Sequence, residues 1–339
     1  MKQFGQNPTG EHKSRINKSV NFKNGIFNNL IPTQMIPKDV SVVDMMKDYI
    51  NTPHERIPQH EIPSVKTNLY ELHQTKPVVT WFGHSSYHLF ADGKHILVDP
   101  VFSGHASPFP FMIKAFKGTD IYGVNDFLKI DVLILTHDHY DHLDYKTLIQ
   151  LKSKTVQVVC SLGVAAHLVH WGFDKKSITE LDWWDAVEVN TIKITAAPAR
   201  HFSGRLIKRA QTLWSSFVLQ TKEHQIFLGG DSGYGEHFAE IGKRFGGFDL
   251  AILECGQYNT KWPMIHMSPE ETVQANTDLR SKMLLPVHWG KFALAFHSWN
   301  EPVNRVVGRA KQLNIDYTVP KIGERIVVGD KGKVEEWWK

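Results

Sequence analysis

Between residues 133 and 144 the chain reads LILTHDHYDHLD, setting three histidines and three aspartates directly behind an apolar run. Imidazole and carboxylate at that density suit a divalent cation: zinc first, with manganese and iron accepting the same donors. In an extended segment residues two apart point the same way, so His137 and His139 can grip one ion together. Where the chain then turns into a helix, the adjacent Asp141 and His142 face a second ion. Each ion needs a further donor, and candidates lie downstream: His201 for the first and His288 for the second. Asp231 has two carboxylate oxygens with which to bridge both. Two ions about 3.5–4 Å apart would hold a water, lower its pKa and polarise a scissile group. Such a site needs no protein nucleophile, and the chain offers no Gly-x-Ser-x-Gly elbow and no P-loop.

A lone histidine is more often structural than a ligand. What weighs against that reading here is recurrence, because each candidate follows a strand-like run. The motif follows IDVLILT, His201 follows TIKITAAPAR, Asp231 follows IFLGG, and His288 follows KMLLPV. Strand ends at one edge of a sheet converge in space, which lets ligands distant in sequence meet. The surrounding pattern supplies such a sheet. PVVTWFGHSSYHLF and KHILVDP flank Ala91-Asp92-Gly93, a hairpin signal. LDYKTLIQL reads as a helix with Asp144 near its start, TVQVVC as a strand, and GVAAHLVHWG as a helix. LWSSFVLQT and DLAILEC are further strands, and SPEETVQANTDL opens on a Ser-x-x-Glu capping box. Strands first, then strands alternating with helices, indicate a layered α/β domain over residues 76–339. Residues 1–75 are richer in Asn, Lys, Pro and His, with one amphipathic helix expected over 41–50. They read as a partly ordered extension that drapes over the domain and covers the entrance to the site.

Composition narrows the function classes. The chain has 339 residues, 42% hydrophobic and 22% charged, with a formal net charge of +4, the profile of a globular protein with a full core. Its basic residues are scattered, so no nucleic-acid partner is expected. Two cysteines, Cys160 and Cys255, exclude a disulfide framework and a cysteine-rich zinc site. The polar N-terminus and the lack of a long apolar run point to a cytoplasmic protein, with peripheral membrane contact left open. Oligomeric state is not legible.

The same residues carry a resemblance. THDHYDHLD resembles the His-x-His-x-Asp-His signature of the metallo-β-lactamase superfamily. With VTWFGHSSYHL, DPVFS, PARHFSGR, GDSGYGEHFAEIGKRFGGFDLAIL, HMSPEETVQ and PVHWGKFAL in this order, the chain is similar to the branch containing N-acyl-phosphatidylethanolamine-hydrolysing phospholipase D. The resemblance implies an αββα four-layer sandwich with a dinuclear centre, usually zinc, at one edge. It implies His137, His139 and His201 on one ion, Asp141, His142 and His288 on the other, and Asp231 between them. It also places His266 beside the substrate, where it would serve as general acid. The chain departs from the phospholipase at Cys255-Gly256-Gln257-Tyr258 and in its first 75 residues. The implied reaction is hydrolysis of a small-molecule or lipid phosphodiester. Asp138 is a candidate to orient water, Arg205 and Lys208 to hold phosphate, and loop 256–267 to form an apolar lip for an acyl chain. A lactone or carboxylic ester hydrolase, like L-ascorbate-6-phosphate lactonase, is the runner-up. A metal-binding sensor without turnover is the third reading.

Overall fold

The computed structural model describes residues 1–36, 47, 52, 54–71, 75–205, 207–331 and 334–339. The helix expected over 41–50 falls outside that set, Lys47 apart. Within the N-terminal segment there is a short helix α1 (Gly10–Ile16) and a two-stranded ribbon of β1 (Phe22–Lys23) and β2 (Ile26–Phe27). Neither was expected from the sequence.

Two sheets form the body. The first is built on β3 (Val78–Trp81), β4 (Tyr87–Ala91), β5 (Lys94–Val98), β6 (Ile130–Leu135), β7 (Thr155–Ser161) and β8 (Ile178–Leu181), with β15 (Arg325–Val327) at its edge. The second runs from β14 (Leu284–Val287) through β13 (Leu250–Glu254), β12 (Gln225–Leu228), β11 (Ser216–Gln220) and β10 (Ile192–Ala197) to β9 (Ala186–Val189). The expected hairpin joins β4 to β5. Asp92 and Gly93 both take positive φ there, the conformation a two-residue turn demands.

Side-chain alternation in β6 accounts for the layering. Val132 and Ile134 point between the sheets, into a core shared with Ile194, Phe217 and Phe227. Leu133 and Leu135 point to the opposite face and meet α2 (Tyr145–Leu151) and α3 (Ala165–His170) through Leu148, Leu151 and Leu168. A strand buried on both faces is largely apolar: every residue of β6 is buried, and its one charged residue, Asp131, is held by His95 N and Lys129 Nζ. On the far side, α4 (His237–Phe245), α5 (Pro269–Asp278) and α6 (Glu301–Leu313) cover the second sheet with Phe238, Ile241, Val273, Val303 and Val306. The result is the αββα sandwich. Two helix starts match their sequence signals: Asp144 caps α2 by accepting from Lys146 N, and Ser268 and Glu271 form the capping box of α5.

Strand direction decides where the site lies. β3 and β5 both pair antiparallel with β4, and β6 is parallel to β5, so β3, β5 and β6 run the same way. In the second sheet β12, β13 and β14 are mutually parallel, and β10 joins them because both β10 and β12 oppose β11. The C-terminal ends of these seven strands therefore gather at one edge of the sandwich.

Candidate metal centre

Each ligand candidate sits just past one of those ends. His137 follows β6, His201 follows β10, Asp231 follows β12 and His288 follows β14. His139, Asp141 and His142 come from the turn between β6 and α2. Two groups of donors result. One gathers His137, His139, His201 and Asp231; the other gathers His84, Asp141, His142 and His288; within each, the donor atoms lie within 4.8 Å of one another. Asp231 touches both, with Oδ2 3.1 Å from His142 Nε2 and Oδ1 3.1 Å from His288 Nδ1.

The outer nitrogens of these rings are tied down, which aims the inner ones. His142 Nδ1 lies 2.8 Å from Asp99 Oδ2, His201 Nδ1 2.7 Å from the Ile265 carbonyl, and His137 Nδ1 3.0 Å from Thr136 Oγ1. A ring whose far nitrogen is engaged presents its near nitrogen in a fixed direction, the arrangement seen behind metal-bound histidines. The near nitrogens then crowd one another: His137 Nε2 stands 2.9 Å and His201 Nε2 3.2 Å from His139 Nδ1. Buried His142 Nε2, His84 Nδ1 and Asp231 Oδ1 have no hydrogen-bond partner. Orphaned polar atoms of this kind are costly unless a cation meets them. Burial works against ionising Asp231, but His142 and His288 overcome it and hold the carboxyl well below its usual range. The donor set fits divalent ions.

His84 and Asp99, which were passed over as sequence, obey the same strand-end rule: His84 follows β3 and Asp99 follows β5. His84 is fully buried with Nε2 2.9 Å from Asp141 Oδ2. Asp99 also accepts from Thr136 N and Thr136 Oγ1, so it fixes the motif turn as well as the His142 ring. Applying the strand-end test to GHSS and to VDP would have found both.

His266 lines the same cavity and joins Asp231 and His288 in a third close group. Its Nδ1 lies 2.6 Å from Glu254 Oε2, at the end of β13. Burial pushes the Glu254 carboxyl up to about 7. The same burial pulls on the His266 imidazole, yet Glu254 carries it up to about 9.

Two expectations meet a different geometry. Asp138 stands outside all three donor groups. It is neither a solvated turn residue nor turned to the cavity: it is buried, its Oδ1 accepts from Gly204 N at 2.7 Å, and its Oδ2 is 3.2 Å from His167 Nε2. Arg205, a candidate phosphate holder, is buried too. Its Nη1 and Nη2 donate to the carbonyls of Asp138, Leu143 and Gln3 and the guanidinium stacks on Tyr140, so both terminal nitrogens are committed to the protein. Lys208 is exposed and does not line the cavity. Both cysteines are free and buried.

Above the donors opens a cavity of about 260 Å³. Its floor is His139, Asp141, Asp231, His266 and His288, and its walls are largely apolar, including Met35, Ile36, Phe202, Trp262 and Leu294. Arg209 is the one guanidinium among the lining residues described. Loop 256–267 reaches the site because two glycines permit close approach. A Cβ on Gly256 would strike the His288 carbonyl, and one on Gly233 the Met264 carbonyl. Gln257 then stitches the loop down, accepting from Leu294 N and Ala295 N at 2.8 Å each.

Comparison with known proteins agrees with this geometry. The description "Beta-lactamase superfamily domain" matches residues 94–289. The chain is 38% identical over 327 residues to an uncharacterized protein of Mycobacterium tuberculosis, covering 95% of this chain and 88% of the relative. It is 34% identical over 241 residues to the mitochondrial N-acyl-phosphatidylethanolamine-hydrolyzing phospholipase D of Saccharomyces cerevisiae, covering 67% of this chain and 50% of that one. Among solved structures, a metallo hydrolase of the archaeon Ignicoccus hospitalis superposes with a TM-score of 0.59 at 19% identity, covering 76% of this chain and 100% of its own. That last likeness is one of fold.

Proposed function

The chain is a metal-dependent hydrolase of the beta-lactamase superfamily, and on that premise we propose that it hydrolyses phosphodiesters in the manner of a phospholipase D. Its substrates would be N-acyl-phosphatidylethanolamine or smaller diesters bearing an apolar group. The observation that carries this reading is the cavity: an apolar wall, a single guanidinium and a floor of metal-type donors. Two divalent ions, zinc first, would be held by His137, His139 and His201 on one side and Asp141, His142 and His288 on the other, with Asp231 shared. Bound there, they would supply Lewis acidity and lower the pKa of water at the phosphoryl group.

The protein's own groups do the rest. Arg209, which has no carboxylate partner among the described residues, offers its planar fork to an anionic oxygen of the diester. Met35, Ile36, Trp262 and Leu294 take the apolar part and exclude water. His266, its Nδ1 held by Glu254, has Nε2 left for the cavity and donates a proton to the leaving oxygen. A lipid substrate makes peripheral membrane contact part of the same reading. Among the described residues, no helix is long and apolar enough to cross a membrane.

The test is mass-spectrometric product analysis of metal-loaded protein given N-acyl-phosphatidylethanolamine, with Asp231→Asn as the blank. Release of phosphatidic acid and N-acylethanolamine by the wild type alone is expected. Turnover of lactones or carboxylic esters with none of any phosphodiester would overturn the reading. Metal binding without any turnover would return the protein to the sensor class.

A further inference from the structure

We propose that Asn29, in the N-terminal segment, is a positioning residue for the metal-ligand candidate His201. The inference rests on the reading of His201 as a ligand and adds a residue that neither the motif nor the family description reaches, since the match begins at residue 94. Asn29 lies 172 residues before His201, yet its side-chain amide spans both backbone groups of that residue. Asn29 Nδ2 donates to the His201 carbonyl at 2.8 Å, and His201 N donates to Asn29 Oδ1 at 3.0 Å. No other hydrogen bond reaches either His201 backbone group among the described residues.

His201 is 1% exposed and belongs to no strand, so Asn29 does for its peptide groups what a neighbouring strand would do. The clamp is itself braced. Trp214 Nε1 donates to the same Oδ1 at 3.0 Å. On either side, Phe27 N donates to the Ala210 carbonyl and Arg200 Nε to Thr33 Oγ1. With its backbone clamped by Asn29 and its Nδ1 on the Ile265 carbonyl, the His201 ring has one direction left for Nε2, towards His139 and Asp231. Removing Asn29 frees the backbone end of that arrangement. The first ion should then be held less tightly, while the second, on Asp141, His142 and His288, keeps its donors.

The experiment is a two-ion zinc titration against a chromophoric chelator, with native mass spectrometry for stoichiometry, on the full chain. Asn29→Ala is expected to weaken one of the two sites roughly 10–100-fold, the range for loss of a group that orients a ligand, and to leave the other within about twofold. His201→Ala marks which site is the first. Trp214→Phe controls for packing: it removes one brace without touching the His201 backbone, and both affinities should stay near wild type. Should Asn29→Ala not fold, Asn29→Asp is read the same way, since it keeps the acceptor and sets an acceptor oxygen, with its charge, against the His201 carbonyl in place of the donor. Wild-type affinities in a folded Asn29 variant, equal loss at both sites, or an equal loss in Trp214→Phe would each overturn the proposal. If His201→Ala weakened neither site, the ligand assignment itself would fall, a result distinct from failure at Asn29 alone.

Discussion

The floor of the site and its rim are built by different means. Most floor residues stand one to seven positions past the ends of buried strands, His266 lying further on, and the rings of His142, His137 and His201 are held from behind by Asp99, Thr136 and Ile265. Rim residues come from the N-terminal segment, from the stretch around Phe202 and Arg209, from loop 256–267 and from Leu294, and several are part-exposed. A rigid floor suits chemistry that tolerates little displacement, whereas a loop-built rim can be altered without disturbing it. Reaction type therefore belongs to the floor and substrate choice to the rim.

That division can be broken experimentally. The largest effect is expected from Asp231→Asn, which should lower kcat/KM by roughly three orders of magnitude, the several kcal/mol that metal-assisted charge stabilisation supplies. Circular dichroism should be unchanged, and a turnover loss below tenfold would remove Asp231 from the floor. Next comes His266→Ala, expected to cost about 10²–10³ in kcat with KM nearly kept, as for loss of a general acid. Glu254→Gln should move turnover the same way by less, and a pure KM effect in either variant would assign the pair to binding instead.

At the rim, Arg209→Gln should raise KM for an anionic diester by about tenfold, the order of a lost charge-assisted hydrogen bond, and leave kcat in place. It should not affect a neutral lactone or ester. If both substrate types responded alike, the guanidinium would not be reading charge.

A control lies outside both regions: His88 belongs to none of the donor groups and does not line the cavity. Burial holds the His88 imidazole down to about 3, against an unfolded value of about 6.5. Between those values the unfolded chain binds a proton that the folded chain does not, so stability falls as pH drops below 6.5, by up to roughly 1.4 kcal/mol per pH unit. His88→Leu removes that liability. Urea unfolding at pH 7 and pH 5 should show the gap between wild type and variant shift in the variant's favour by about 2 kcal/mol on acidification, with turnover unaffected.

The floor was legible in the sequence because its residues are dense and follow strand-like runs such as IDVLIL, buried at every position. His84 and Asp99 escaped notice because one histidine or one aspartate after a strand looks like any turn residue. The strand-end test marks them as candidates, and the shared direction of β3, β5 and β6 brings them to the same edge as the motif. β8 and β9 were missed for a different reason: they are short, and their burial is mixed, so neither strong alternation nor a continuous apolar run marks them. Asp138 and Arg205 looked functional by position and charge, but only coordinates reveal that His167, Gly204 and three backbone carbonyls already occupy them. Asn29 left no trace in the sequence at all, since one asparagine in a polar segment carries no pattern.

The spread of the donor set along the chain also fixes when the protein can acquire its ions. His137, His139, Asp141 and His142 leave the ribosome together, but His201 follows about sixty residues later, Asp231 later still, and His288 meets Ser85 across 203 residues of sequence. A nascent chain thus offers an ion only a partial, unbraced donor set until β14 joins the second sheet. Such long-range closure also makes folding slow, because distant contacts come only after their loops are closed. The complete donor set therefore exists only once His288 has been made and β14 has joined its sheet, so a divalent ion finds all its donors together only late in folding.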